Sequence, residues 1–230
     1  MNSKNKKTNK KYKRKCPLLF DFIKITGCIP TLIWMRPRII YAGDKKKSKP
    51  KKGVLIISNH GTFFDPLVIL CAFWYRRLHM LATKDLYKNK FLTFIFSHSL
   101  CIQVDKSNFS MNSFHEAVSR LKDDRAVMMF PEGHVTHGGE DIKQFKDGAA
   151  LMAHLSNKPI LPVFTAGGDK WYKRWTVIIG EPIDVRKICP TAPNLDGLKK
   201  ISEVLREKEI ELANIYKEKF ANKEKENEQN

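Results

Sequence analysis

His60 and Asp65 stand five residues apart in the stretch SNHGTFFDP, between the apolar run Val54 to Ile57 and Pro66. An imidazole held against a carboxylate is a general acid–base pair with a fixed tautomer. The spacing decides what must lie between the two. On a continuous α-helix five residues turn through about 500°, which leaves the side chains roughly 140° apart and out of reach. A turn is therefore required. GVLIIS has the β-branched content of a short strand, Asn59 to Phe64 is the connection, and Asp65-Pro66 reads as an N-cap followed by a Pro at the first helical position. His60 then ends a strand and Asp65 begins a helix, at the edge where open α/β sheets bind ligands. Asp before Pro is also a common helix start, so the spacing alone does not settle a function.

The rest of the chain supplies the elements that position such a pair. Helical stretches are expected over 66–77, around 88–98, and over 112–122 and 147–156; strands are expected over 54–58, 100–104, 126–130, 159–165 and 175–179. LHMLAT is a further short apolar element, and residues 198–220 form an amphipathic helix carrying Leu198, Ile201, Leu205, Leu212 and Ile215 on one face. This alternation predicts an α/β fold, a mostly parallel central sheet flanked by helices. Two further strand ends carry polar or flexible residues. CIQV runs into Asp105-Lys106, and VMMF runs into Pro131-Glu132-Gly133. Together with His60 and Asp65 they converge on one sheet edge and describe a site.

The formal net charge is +18, from 42 Lys and Arg against 24 Asp and Glu, which implies an anionic partner. Residues 1–16 are a polybasic arm too polar to pack, and an apolar segment interrupted by Asp21, Lys24, Pro30, Arg36 and Arg38 follows over 17–42. A basic arm joined to apolar residues is the signature of a membrane-surface segment. Its longest uncharged run, Ile25 to Met35, falls short of the ~20 residues a spanning helix needs, and Pro30 interrupts it. Two short amphipathic helices in the interface, broken near Gly27 to Pro30, are therefore expected. Residues 43–220 are expected to form the α/β domain and 221–230 a solvated tail. The five scattered cysteines form no CxxC pair, and they read as reduced thiols. No finger, RNP-like or helix-turn-helix signature accompanies the charge, so no nucleic acid is expected.

In their order, NHGTFFDP, MLATKDLYKN, CIQVDK, FPEG, FKDGAALMA and PILPV resemble the blocks of the glycerolipid acyltransferase family, of the bacterial 1-acylglycerol-3-phosphate acyltransferase type, from about Pro17 to Val185. The resemblance implies an enzyme that moves a fatty acyl chain from acyl-CoA or an acidic acyl-carrier protein to the sn-2 hydroxyl of 1-acylglycerol-3-phosphate, giving phosphatidate. His60 would be the base and Asp65 its orienting carboxylate, with Asn59, Lys84, Lys106, Glu132 and Gly133 around the lysophospholipid acceptor. No cofactor and no metal are implied. The implied location is peripheral or monotopic, on the cytoplasmic face of the cell membrane, against anionic lipids. Three positions depart from the family pattern: Lys106 stands for an Arg, and His134-Val135 stand where Thr or Ser and then Arg are usual. Lys106 keeps the charge without the bidentate fork, and Val135 keeps neither. Another lysolipid acceptor, or a non-catalytic basic membrane- or nucleic-acid-binding protein, remains the alternative.

Overall fold

The central strands are continuous apolar runs because both of their faces are covered. The computed structural model describes residues 17–87, 89–104, 111–136, 142–167 and 174–221. The arm, Lys106 and residues 222–230 lie outside the described residues. Helix α1 spans Pro17–Met35 and is followed by strands β1 (Arg38–Tyr41) and β2 (Val54–Ser58), helix α2 (Asp65–Ala72) and β3 (Leu78–Thr83). A 3₁₀ turn (Lys84–Tyr87) then leads through α3 (Lys90–His98), β4 (Ile102–Val104), α4 (Met111–Lys122), β5 (Ala126–Met129) and α5 (Gly148–Ser156). β6 (Ile160–Ala166), β7 (Thr176–Ile179), α6 (Val185–Ile188) and α7 (Leu195–Tyr216) complete the described chain, with a π turn at Lys217–Ala221.

The described strands form one sheet in the order β1-β7-β6-β2-β5-β3-β4. Every pairing is parallel except that of β6 with β7. Alternation along each strand sends residues to two cores. Leu55, Ile57, Val127, Phe164 and Ile178 face one layer, which α4, α5 and α7 cover. Val54, Ile56, Met128, Val163 and Val177 face the other, covered by α1 and α2. The mostly parallel α/β fold is as the sequence predicts.

The expected pair of interfacial helices is corrected to one helix. α1 runs unbroken through Pro30. A Pro inside a helix removes a hydrogen bond and costs about 3 kcal/mol in isolation. Packing outweighs it, because α1 seals Phe20, Cys28 and Thr31 against the body of the protein. Thr31 Oγ1 donates to the carbonyl of Gly27 at 2.8 Å, so its buried hydroxyl is satisfied. The division expected at residues 42 and 43 is also displaced: β1 lies before it, yet pairs with β7 as an edge of the sheet. Short apolar stretches such as RIIY carry no period that separates strand from helix.

Candidate active site

β2 and β6 run side by side up to the pair Ser58↔Val163, and the chain then leaves the sheet. The side chain of Asn59 continues the ladder in place of backbone. Its Oδ1 accepts from Thr165 N at 2.8 Å and its Nδ2 donates to Thr165 O at 2.9 Å. Asn59 is 1% exposed, so this amide substitutes for a strand in a dry place where unpaired groups are costly. His60, relieved of ladder duty, turns out of the sheet.

His60 is fixed on three sides. Its Nδ1 lies 3.1 Å from Asp65 Oδ2, its ring stacks on Phe130 at 3.9 Å between centroids and 13° between planes, and its carbonyl accepts from Thr136 N at 2.7 Å. A carboxylate can only accept, so in the neutral imidazole the proton belongs on Nδ1 and the lone pair on Nε2. The two side chains are 17% and 2% exposed, which leaves the imidazole reachable and its carboxylate partner sealed.

Asp65 begins α2 but does not cap it. The expected N-cap is corrected: Phe64 holds that position, without a side-chain bond, and Asp65 is the first helical residue. The carboxylate is committed elsewhere. Oδ2 accepts from Thr62 N at 2.8 Å, and Oδ1 accepts from Thr62 Oγ1 at 3.3 Å and Thr165 Oγ1 at 3.2 Å. Those donors hold the carboxylate with both oxygens engaged, so the imidazole it meets has one preferred orientation.

Among the residues expected around an acceptor, Asn59 and Glu132 are turned inward. Glu132 is 2% exposed, and its Oε2 accepts from Thr136 Oγ1 at 2.8 Å, which ties the turn after β5 to the backbone of His60. Gly133 lies on the surface of that turn at φ 75°, a left-handed conformation that favours glycine. Lys84 opens the 3₁₀ turn after β3. Thr62, Phe130, Thr136 and Thr165 were not foreseen from the sequence. Thr62 falls within the His60–Asp65 connection, where its hydroxyl accepts from Phe64 N at 3.2 Å, the local turn that a Thr at this place can form. Thr165 carries no local signal, since it meets Asp65 from 100 positions away.

Gly133→Ala is expected to lower stability by about 1 kcal/mol or more, because Ala is strained where φ is positive. A Cβ there would also lie 2.9 Å from Lys146 Nζ, which must move. Thermal unfolding checks this: a drop of about 2–4 °C is expected for a domain of this size.

Residues 39–166 match the family described as Acyltransferase. A 1-acyl-sn-glycerol-3-phosphate acyltransferase of Bacillus subtilis is 26% identical over 176 residues, 74% of this chain and 86% of the relative. The enzyme of the same name from Borreliella burgdorferi is 30% identical over 146 residues, 62% of this chain and 57% of that one. In fold, the chain is similar to the crystal structure of the 1-acyl-sn-glycerophosphate acyltransferase from Thermotoga maritima, with TM-score 0.62 and 19% identity over 85% of this chain and 80% of the other.

Proposed function

The chain belongs to the acyltransferase family, and on that premise we propose that it moves a fatty acyl group from a thioester donor to the sn-2 hydroxyl of 1-acylglycerol-3-phosphate, giving phosphatidate. The observation that carries the reading is the 3.1 Å contact between His60 Nδ1 and a sealed Asp65, which leaves Nε2 as a base at the sheet edge. A hydroxyl is too weakly ionised at neutral pH to attack a thioester unaided. His60 Nε2 takes its proton as the oxygen bonds to the carbonyl carbon. The tetrahedral intermediate then breaks its carbon–sulfur bond, and the departing thiolate takes the proton back from the imidazolium, which Asp65 has stabilised meanwhile. No enzyme nucleophile is needed, because the acceptor itself attacks. The donor is acyl-CoA or an acyl-carrier protein. Lys84 and Lys106 are assigned to the acceptor phosphate as point charges.

A second reading keeps the chemistry and changes the acceptor. Val135, 37% exposed two residues past Gly133, offers no charge where the family pattern has Arg. Another lysolipid would suit such a turn. Both readings place the enzyme at a membrane surface, since its substrates are lipids. α1 presents Leu18, Phe22, Ile25, Ile33 and Trp34 to solvent, each more than half exposed. No helix among the described residues is long and apolar enough to cross a membrane. The proposed location is the cytoplasmic face, peripheral or monotopic.

Offering the purified protein a panel of lysolipids with acyl-CoA and acyl-carrier-protein donors, with products identified by mass, tests the reading. Phosphatidate from lysophosphatidate is the expected product. Acylation of a different lysolipid alone selects the second reading, and thioester hydrolysis without any acylated lipid overturns both.

A further inference from the structure

A cavity of about 480 Å³ opens at the edge of the sheet opposite His60, where β5 begins. Asp21 and Lys24 of α1, the segment Trp74 to Arg77 that follows α2, and Asp124 to Ala126 form its walls, with Lys51 beside them. Five cations line it against two carboxylates: Lys24, Lys51, Arg76, Arg77 and Arg125 against Asp21 and Asp124. Both carboxylates are already used. Asp21 accepts the fork of Arg77, at 3.1 Å from Nε and 2.6 Å from Nη2. Asp124 Oδ1 accepts from Gly53 N at 3.0 Å and from Lys158 Nζ, outside the cavity wall, at 2.6 Å.

Two of the remaining cations are held in place by neutral groups. Lys24 donates to the carbonyls of Trp74 and Arg76. Arg76 donates to Pro50 O at 2.6 Å, Lys52 O at 3.1 Å and Asp124 O at 3.4 Å. Carbonyl dipoles orient a cation without cancelling its charge. Burial, the largest influence on each, lowers the proton affinity of both Lys24 and Arg76, so their charge is held at a cost that an anion would relieve.

We propose that this cavity binds the phosphate group of an anionic membrane lipid, a site separate from the acyl-transfer centre. The source of the phosphate is argued from the neighbours. Leu18, Phe22 and Ile25 are exposed on the turns of α1 that carry Asp21 and Lys24, and Trp74, which lines the cavity, is 71% exposed. Exposed apolar side chains on the helix that forms one wall of a basic pocket, with an exposed Trp in its lining, match the lipid interface, where Trp lies at headgroup level. The site would dock the amino-terminal half of α1 while the far end of that helix, at Met35, meets Trp175 through its carbonyl. This proposal rests on the membrane-surface reading above.

Flotation of the full chain tests it, with vesicles of phosphatidylcholine alone or with about a fifth phosphatidylglycerol. Two double variants remove equal charge. Lys51→Gln/Arg125→Gln alters exposed residues of the cavity, and Lys199→Gln/Lys200→Gln alters exposed residues of α7, across the sheet. Partition of the cavity variant into anionic vesicles is expected to fall about 10-fold or more, and that of the α7 variant about twofold or less, because only cations near the surface contribute strongly. An equal loss in both variants would mean that net charge alone binds, and overturns the site. If the wild type floats and the cavity variant floats equally well, the site falls while the membrane reading stands. If the wild type floats with neither vesicle, the membrane reading itself falls, and the lipid assignment with it. Inorganic phosphate is the remaining probe: a rise in Tm that the cavity variant lacks, with flotation of both unchanged, would assign the pocket to a soluble phosphate and overturn the lipid source.

Discussion

His60→Ala is expected to lower kcat for acyl transfer by about three to four orders of magnitude, the upper range for losing a positioned general base. The protein should remain folded. The variant loses the stack on Phe130, worth about 0.5–1.5 kcal/mol, so a Tm lower by only a few degrees is expected. Asp65→Asn makes the companion case. An amide in place of the sealed carboxylate no longer stabilises the imidazolium and invites the other tautomer, as its NH₂ points at Nδ1 or displaces it. Both losses should appear in kcat, with the KM for the acceptor little changed, since neither group is assigned to ground-state binding. Thiol release from the donor, measured beside acylated product by mass, checks this. A His60→Ala protein that turns over within about tenfold of wild type would remove His60 from the role of base.

Replacing Glu209 is expected to stabilise the protein, and more so as pH rises. Glu209 lies on α7, fully buried, and neither carboxyl oxygen has a hydrogen-bond partner among the described residues. Burial first, and then the charge of Glu132, push its proton affinity well above the usual carboxylate range. The unfolded chain titrates near the ordinary Glu value of about 4.3. Below that pH the carboxyl is neutral in both states and costs no ionisation energy. Above it the unfolded state releases its proton first, so stability falls as pH rises until the folded carboxyl ionises as well. Glu209→Met removes the unpaired group and keeps the volume. A gain of roughly 1–3 kcal/mol is expected at about pH 5 from removing the unsatisfied group, and a larger gain at about pH 8, where the unfolded carboxyl has ionised and the folded one still resists ionising. Thermal unfolding at the two pH values decides it, at about 2–4 °C for each kcal/mol. A gain independent of pH, or a loss, would mean that Glu209 has a partner in solution.

The pair at the centre of the site was legible because its constraint is local. Five residues, a strand before them and a Pro after them leave few ways to arrange His60 and Asp65, and the turn between them was deducible without any partner. The alternation of β2, β5 and β6 with helical stretches was legible for a similar reason: burial on both faces writes itself as runs such as VLIIS. Two local inferences failed where packing overrode them. Pro30 argued for a break in the first helix, and the contacts of Phe20, Cys28 and Thr31 outweighed it. Asp65 argued for a cap, and the donors of Thr62 and Thr165 claimed its carboxylate.

By itself, then, the sequence determined which residues could carry chemistry and which kind of sheet must position them, because residue type and period are local properties. The tertiary structure alone decided what holds the His60 imidazole in place. Thr165 reaches Asp65 only because β6 lies beside β2, and Phe130 reaches the imidazole only because β5 lies on the other side. Strand order is a long-range outcome of packing that no local pattern records. The same order buries Glu209 without a hydrogen-bond partner among the described residues on one face and, on the other, gathers the cations of α1, the α2 end and β5 into a single cavity.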